Sequence, residues 1–337
     1  MISTTRAKEI LDSSASKDII VLGDVMLDEY VWGTVSRVSP EAPVLVVAAN
    51  SHTYVPGGSA NVAQNVAAYG AVAIVCGIVG DDASGATLRK TLKDHGAEVD
   101  GLVTAPQRPT TLKTRVMAHS QQVSQQVVRV DHESQAPLDG DTLSKVVAYL
   151  EAVIPNCDAI LLSDYQKGLL VHSLVQTVVN IARRHHKVIT GNIKPVGIAE
   201  HCRLTMLTLN VYEASEASGI VLGDGSDPFE SRLHQAGRIL LEKSGSENVL
   251  ITRSSHGLTL FSRDEPPVTI PAYPVEVFDG TGAGDTVITT LTLALAAGAT
   301  ALEAVHLANC AGAIVVRKMG VATASPDEIV SLIADHS

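Results

Sequence analysis

Asp279-Gly280-Thr281-Gly282-Ala283-Gly284-Asp285 constrains this chain more than any other stretch. It runs directly into Thr286-Val287-Ile288-Thr289-Thr290-Leu291, which reads as a helix. A loop of such small residues leaves the first N–H groups of that helix bare, and bare N–H groups at a helix start attract an anion. The side chains must be small, or the anion cannot reach the backbone. A carboxylate beside a bound phosphate is unfavourable unless it has a task, and taking a proton from an attacking hydroxyl is the task that fits. The same residues also suit a Gly-rich turn with Asp285 as the helix cap. The motif alone leaves both readings open.

The rest of the chain alternates. Strands are predicted at 19–23, 44–47, 72–76, 159–162, 188–190, 204–209 and 249–252, and helices at 59–69, 83–94, 169–184 and 229–243. With only three Phe, seven Tyr and one Trp, the core must be built from Val, Leu, Ile and Ala. That composition suits parallel strands buried on both faces by helices. The expectation is an α/β fold, a doubly wound, mostly parallel sheet, in a single domain over residues 1–337. Two segments break the rhythm, at about 30–50 and 110–132. No helix separates their strands, so they are expected to pair antiparallel as a small β lid, with a polar tip at Gln121 to Gln126.

A formal charge of -11 argues against a nucleic-acid surface. Cys76, Cys157, Cys202 and Cys310 are scattered, without metal-ligand spacing. The longest apolar tract, 293–299, is far too short for a membrane span. A soluble, cytoplasmic protein without membrane or nucleic-acid partners is expected.

Several polar groups follow predicted strands, where an open α/β sheet binds its ligands. Asp24 and Asp28 suit a polyol or a loop backbone. Pro56-Gly57-Gly58-Ser59-Ala60-Asn61 opens a helix; it brings bare backbone and an amide that can both donate and accept. Lys113 and Arg115 lie on one face of a strand, Lys167 follows Ser163-Asp164-Tyr165-Gln166, and Arg37 lies in the other lid segment. Each cation alone suits solvent equally; together they suit a phosphorylated substrate. Asn210 and Glu213 share the first turn of a helix, where they suit water and Mg²⁺ on phosphates, or a capping box. Thr252-Arg253-Ser254-Ser255-His256-Gly257 makes a turn fit to lie under a nucleotide, and Asn309 suits a base or a polar helix face. The G-x-G-x-x-G fingerprint is absent, which disfavours a dehydrogenase, and no P-loop motif is present.

The Gly57-Gly58-x-x-Asn61 and Asp279-x-Thr281-Gly282-Ala283-Gly284-Asp285 elements, in this order and separation, resemble the two signatures of the ribokinase-like (PfkB) carbohydrate kinases. Within that family, Gly23-Asp24-Val25-Met26-Leu27-Asp28, Ser36 to Val44, Ser163 to Gly168 and Lys113-x-Arg115-Val116 are similar to the D-glycero-D-manno-heptose-7-phosphate kinases, the kinase half of a bifunctional heptose kinase/adenylyltransferase. The resemblance implies a ribokinase-like fold, ATP and Mg²⁺, and phosphorylation of heptose 7-phosphate at O1. A separate nucleotidyltransferase is then expected to supply the second activity. By that resemblance Asp285 is the base over an anion hole of Gly282, Ala283 and Gly284. Asp28, Gly57, Gly58, Asn61 and Asp164 hold the sugar, and Arg37, Lys113, Arg115 and Lys167 its phosphate. Lys194, Asn210, Glu213, Thr252, Arg253, Ser254, Gly257 and Asn309 hold the nucleotide, with Glu213 on Mg²⁺ through water. A homodimer through the lid is expected. The chain departs from the branch at Asn192-Ile193-Lys194, where the common Asp-Pro-Lys has a carboxylate, and at Thr208-Leu209-Asn210, where Thr-Pro-Asn is common. Kinases of other sugars, and a sugar-binding relative without turnover, remain the alternatives.

Overall fold

The computed structural model describes residues 2–120, 123–195, 202–222 and 229–336. These residues begin with α1 (Thr4–Ser14), β1 (Asp18–Gly23), β2 (Val25–Val38), β3 (Leu45–Gly58) and α2 (Ser59–Ala68). β4 (Val72–Val79), α3 (Ala83–Asp94) and β5 (Glu98–Thr104) lead to a hairpin of β6 (Leu112–Ser120) and β7 (Val123–His132). α4 (Gly140–Val153), β8 (Ala159–Ser163), α5 (His172–Arg184), β9 (Val188–Asn192), β10 (Met206–Asn210) and α6 (Val211–Ser218) restore the alternation. Then come α7 (Phe229–Ser244), β11 (Asn248–Thr252), β12 (Leu258–Ser262) and β13 (Val268–Ile270), followed by α8 (Ala283–Ala296), α9 (Ala301–Val315) and α10 (Pro326–Ala334).

Nine strands form one sheet in the order β13-β12-β11-β10-β9-β8-β1-β4-β5. Its strands run parallel except at the β12 and β13 edge. Short apolar runs such as Ala159-Ile160-Leu161-Leu162 are buried throughout, because helices cover both faces. One face packs on α1, α2, α3, α8, α9 and α10, the other on α4 to α7. All four cysteines are buried free thiols. No helix of the described residues is long and apolar enough to cross a membrane.

The fold is that of the expected doubly wound α/β class with a β lid, whose strands pair antiparallel where no helix separates them. The second sheet, β3-β2-β6-β7, contains two antiparallel hairpins, but β2 and β6 join them in parallel. The cause is the route of the chain: β2 and β6 each leave the body after a parallel strand, β1 and β5, and so point the same way. The expected polar tip includes Gln121 and Gln122, which lie outside the described residues.

Register divides the lid into two unlike faces. One carries the cross-strand rows Asp28–Lys113–Asp131 and Tyr30–Arg115–Arg129. The other carries Tyr54–Glu29–Thr114–Val130 and His52–Val31–Val116–Val128. Tyr54, Val128 and Val130 on this second face are 45%, 48% and 56% exposed.

Candidate active site

β1, β8, β9, β10 and β11 are neighbours in the sheet, and each ends in a polar residue or is followed by one. Asp24, Asp164, Asn192, Asn210 and Thr252 therefore line up along one rim. α8 packs against β8 and β9, so its first turn meets the middle of that rim. A cleft of about 200 Å³ opens there, lined by Tyr165, Lys194, Asn210, Glu213, Gly284 and Asp285 among others.

Gly282 caps α8 at φ +77°, in the left-handed region that glycine occupies without strain. A Cβ at this position would meet Val321 Cγ1 at 2.9 Å and Asn61 Nδ2 at 3.2 Å, so the turn has no room for a side chain. Asp279 fixes the loop from both sides, accepting hydrogen bonds from Thr281 N–H (2.9 Å) and Gly320 N–H (2.9 Å). No acceptor among the described residues takes the N–H groups of Gly282, Gly284 and Asp285, and a Cβ on Gly284 would meet nothing within 4 Å. Ala283 differs from the expected anion hole: its N–H donates to Gly280 O at 3.3 Å. The bare donors are those of Gly282, Gly284 and Asp285.

Asp285 is held at both oxygens. Tyr165 Oη donates to Oδ1 and Asn61 Nδ2 donates to Oδ2, each at 2.7 Å. Burial pushes its carboxyl above the usual carboxylate range, and the two donors and Lys194 offset that only in part. The two sequence signatures thus meet side chain to side chain through Asn61 and Asp285. Gly57 packs by close approach: a Cβ there would lie 2.6 Å from Asp28 Oδ2. Gly58, at φ +55°, is the N-cap of α2, whose first turn has no side-chain cap.

On the side of β9 to β11, Asn210 and Glu213 form the capping box of α6. Glu213 also accepts from Lys194 Nζ, whose second partner is Asn192 Oδ1 at 3.3 Å. Asn192 donates to Thr208 O at 3.1 Å, so the departure from Asp leaves a neutral brace between β9 and β10. Thr252 lines the cleft. The Arg253 side chain is turned away from the expected nucleotide wall. It is buried on Phe229, pairs with Glu230 at 2.5 Å and donates to Thr259 Oγ1 at 3.2 Å. Ser254 and Gly257 close the turn behind it, with Gly257 N–H donating to Ser254 O. Asn309 donates to Pro271 O at 2.9 Å, bracing the segment after β13.

On the lid side, the expected free cations are paired. Arg115 donates to Asp28 Oδ1 at 2.7 Å and stacks over Tyr30. Lys113 meets Asp131 (3.1 Å) and Glu133 (3.5 Å), and Lys167 meets Glu133 at 2.7 Å. These lysines hold the Glu133 carboxyl below its ordinary value, Lys167 most strongly. Arg37 is exposed on β2, nine residues beyond Asp28. At about 3.3 Å per residue that is on the order of 30 Å along the strand, so one protomer does not bring Arg37 to the cluster. Asp164 accepts from Gln166 N–H (2.8 Å) and Lys194 N–H (3.0 Å), a backbone brace where a sugar contact was expected.

Two residues of the site were missed. Tyr165 lies within Ser163 to Gly168, but nothing in the sequence shows that its hydroxyl reaches a residue 120 positions away. Arg108, which donates to Ser134 O and Lys167 O, had no signal beyond being an isolated arginine in a loop.

The chain matches the model of the pfkB family carbohydrate kinases over residues 16–328, and it belongs to that family. It is a carbohydrate kinase. It is also closely related to proteins named bifunctional protein HldE: 41% identical over 94% of this chain to that of Caulobacter vibrioides, and 39% over 97% to that of Pelobacter propionicus. The chain spans 63% and 65% of the length of those two relatives. In fold it is similar to phosphofructokinase-2 from Escherichia coli (TM-score 0.76, 18% identity, covering 95% of this chain and 99% of that one). Arabidopsis thaliana ribokinase, solved with ribose and ATP, is similar at TM-score 0.70 and 20% identity, covering 94% and 99%.

Proposed function

We propose that the protein transfers the γ-phosphoryl group of ATP to O1 of D-glycero-D-manno-heptose 7-phosphate, giving the 1,7-bisphosphate. The observation that carries the chemistry is the Asp285 carboxylate standing beside bare N–H groups at the start of α8. Asp285 takes the proton from the sugar hydroxyl as its oxygen attacks the γ-phosphorus, and the bond to the ADP oxygen breaks. The N–H groups of Gly282, Gly284 and Asp285 receive the charge on the transferred group, and Lys194 draws on the same charge. Thr252, Ser254, Gly257 and Asn309 belong to the nucleotide side through the walls they build. Asn210 and Glu213 line the cleft, and their oxygens, already engaged by the capping box and Lys194, keep further lone pairs that would hold water on Mg²⁺; bound there, the ion would screen phosphate charge.

The sugar falls to Asp28, Gly58 and Asn61. Its distal phosphate falls to Lys113, Arg115 and Lys167, which keep donors beyond those their carboxylate partners take. The choice of heptose rests on the motif resemblance and on the identity to the HldE proteins. The pairing of every lid cation but Arg37 favours a second reading, a kinase of another sugar phosphate or of a neutral sugar. On the first reading the product is a substrate for nucleotidyl transfer, and the exposed face of the lid joins two protomers. The test is a coupled ADP-release assay with heptose 7-phosphate, fructose 6-phosphate, fructose 1-phosphate, ribose and fructose. Heptose 7-phosphate should give the highest kcat/KM. A neutral sugar at the top would overturn the heptose assignment and leave the kinase chemistry standing.

A further inference from the structure

The loop after β8 connects the base to the lid. Tyr165 Oη donates to Asp285 Oδ1 at 2.7 Å. The backbone on both sides of Gln166 is pinned to one oxygen: Tyr165 N–H and Lys167 N–H donate to Asp24 Oδ2 at 2.9 and 3.0 Å. Gln166 between them sits at φ +58°, a left-handed conformation that a non-glycine residue keeps only when its surroundings enforce it. Asp164 completes the enforcement by accepting from Gln166 N–H at 2.8 Å. The carbonyl of Lys167 accepts from the Arg108 guanidinium, which also donates to Ser134 O and Ala136 O. Those two carbonyls lie two and four residues past the end of β7, at the root of the lid. Lys167 Nζ and Glu133 tie the same root a second time.

We propose that Tyr165 is a positioning residue for the base, and that Asp24 and Arg108 couple its place to the root of the lid. A carboxylate held at one oxygen rotates; held at both, by Tyr165 and Asn61, it presents fixed lone pairs to an incoming hydroxyl. The strained loop is the means of holding the phenol, and Arg108 makes the loop conformation depend on the segment that leaves the lid. This inference rests on Asp285 being the base.

Tyr165→Phe in the full chain, assayed with the best substrate of the screen, is expected to lower kcat about tenfold while both KM values stay within about twofold, the effect of losing one hydrogen bond to an ionised group. The groups facing Asp285 are Tyr165 from the loop after β8, Lys194 after β9 and Asp28 on β2, with the neutral Asn61 on α2. Tyr165, Asn61 and Lys194 all favour the ionised carboxylate and Asp28 opposes it, so loss of the phenol should move the acid limb of the pH–rate profile upward. A loss of kcat with the limb unmoved is a merely structural effect and overturns the proposal, as does unchanged kcat. Arg108→Gln alone should lower kcat several-fold, and the double variant should be no worse than the weaker single variant; multiplied losses would break the coupling to the lid. Asp285→Asn run in parallel separates the failures. Near-normal turnover in it overturns the base and this proposal together. A large loss in it with a silent Tyr165→Phe overturns the positioning role alone.

Discussion

The body and the lid are built from the same kinds of strand and solve opposite problems. The strands of the nine-stranded sheet are covered on both faces, and their ends fix Asp24, Asn192, Asn210 and Thr252 along one rim. The lid has one face of interleaved charges and one on which Tyr54, Val128 and Val130 stand exposed beside the Glu29–His52 pair and Thr114. The body places reacting groups by backbone geometry that tolerates little change. The lid places charges that already neutralise one another. Substitutions should therefore be costly in the first region and mild for protomer stability in the second.

The largest effect is expected at Gly282. Gly282→Val forces a β-branched residue into φ +77° and against Val321 and Asn61. About 2–3 kcal/mol of stability should be lost, with turnover falling further because Asn61 is pushed from Asp285. Chemical denaturation and the kinase assay read the two effects, and a variant of normal stability and rate would show that the turn is not constrained as described.

Acidity gives the next largest effect. Burial raises the Asp285 carboxyl, and as the proposed base it must be ionised to accept a proton. Activity should therefore fall, as pH is lowered, at a pH above the usual carboxylate range. The contribution of the same group to stability has the opposite sense. It is fully present below the unfolded pKa and is lost as pH rises through the raised folded value. A pH–rate profile flat down to ordinary carboxylate values would contradict the burial argument.

The smallest effect on the protomer is expected in the lid. Val128→Lys with Val130→Lys lies on the exposed face and should change protomer stability by no more than about 0.5 kcal/mol per site. Sedimentation at micromolar concentration should show a dimer for the parent chain and a monomer for the variant. A parent chain that is already monomeric would remove the interface and leave the lid as a cover alone.

The same contrast decides what the sequence revealed. The alternation of strands and helices was legible because buried parallel strands read as short Val, Ile and Leu runs. The helix start at Asp285 was legible because a bare anion-binding turn needs consecutive small residues. The parallel join of β2 to β6 was not, since it depends on where the chain leaves the body rather than on any local pattern. Nor were the partners of the charges: Lys113, Arg115 and Lys167 read as free cations until the fold set Asp131, Asp28 and Glu133 opposite them. Arg253 misled for the same reason, its turn being legible and the burial of its side chain on Phe229 not. Tyr165 and Asp285 are separated by 120 positions, and only the packing of α8 against β8 and β9 brings them together.

The central claim is that Asp285 removes the proton from the attacking hydroxyl at the start of α8. Asp285→Asn measured for turnover and, by titration calorimetry, for sugar and nucleotide binding tests it most directly. Both ligands should bind with near-parent affinity while kcat falls by roughly 10²-fold or more, the range for lost acid–base catalysis. Turnover close to that of the parent chain would contradict it.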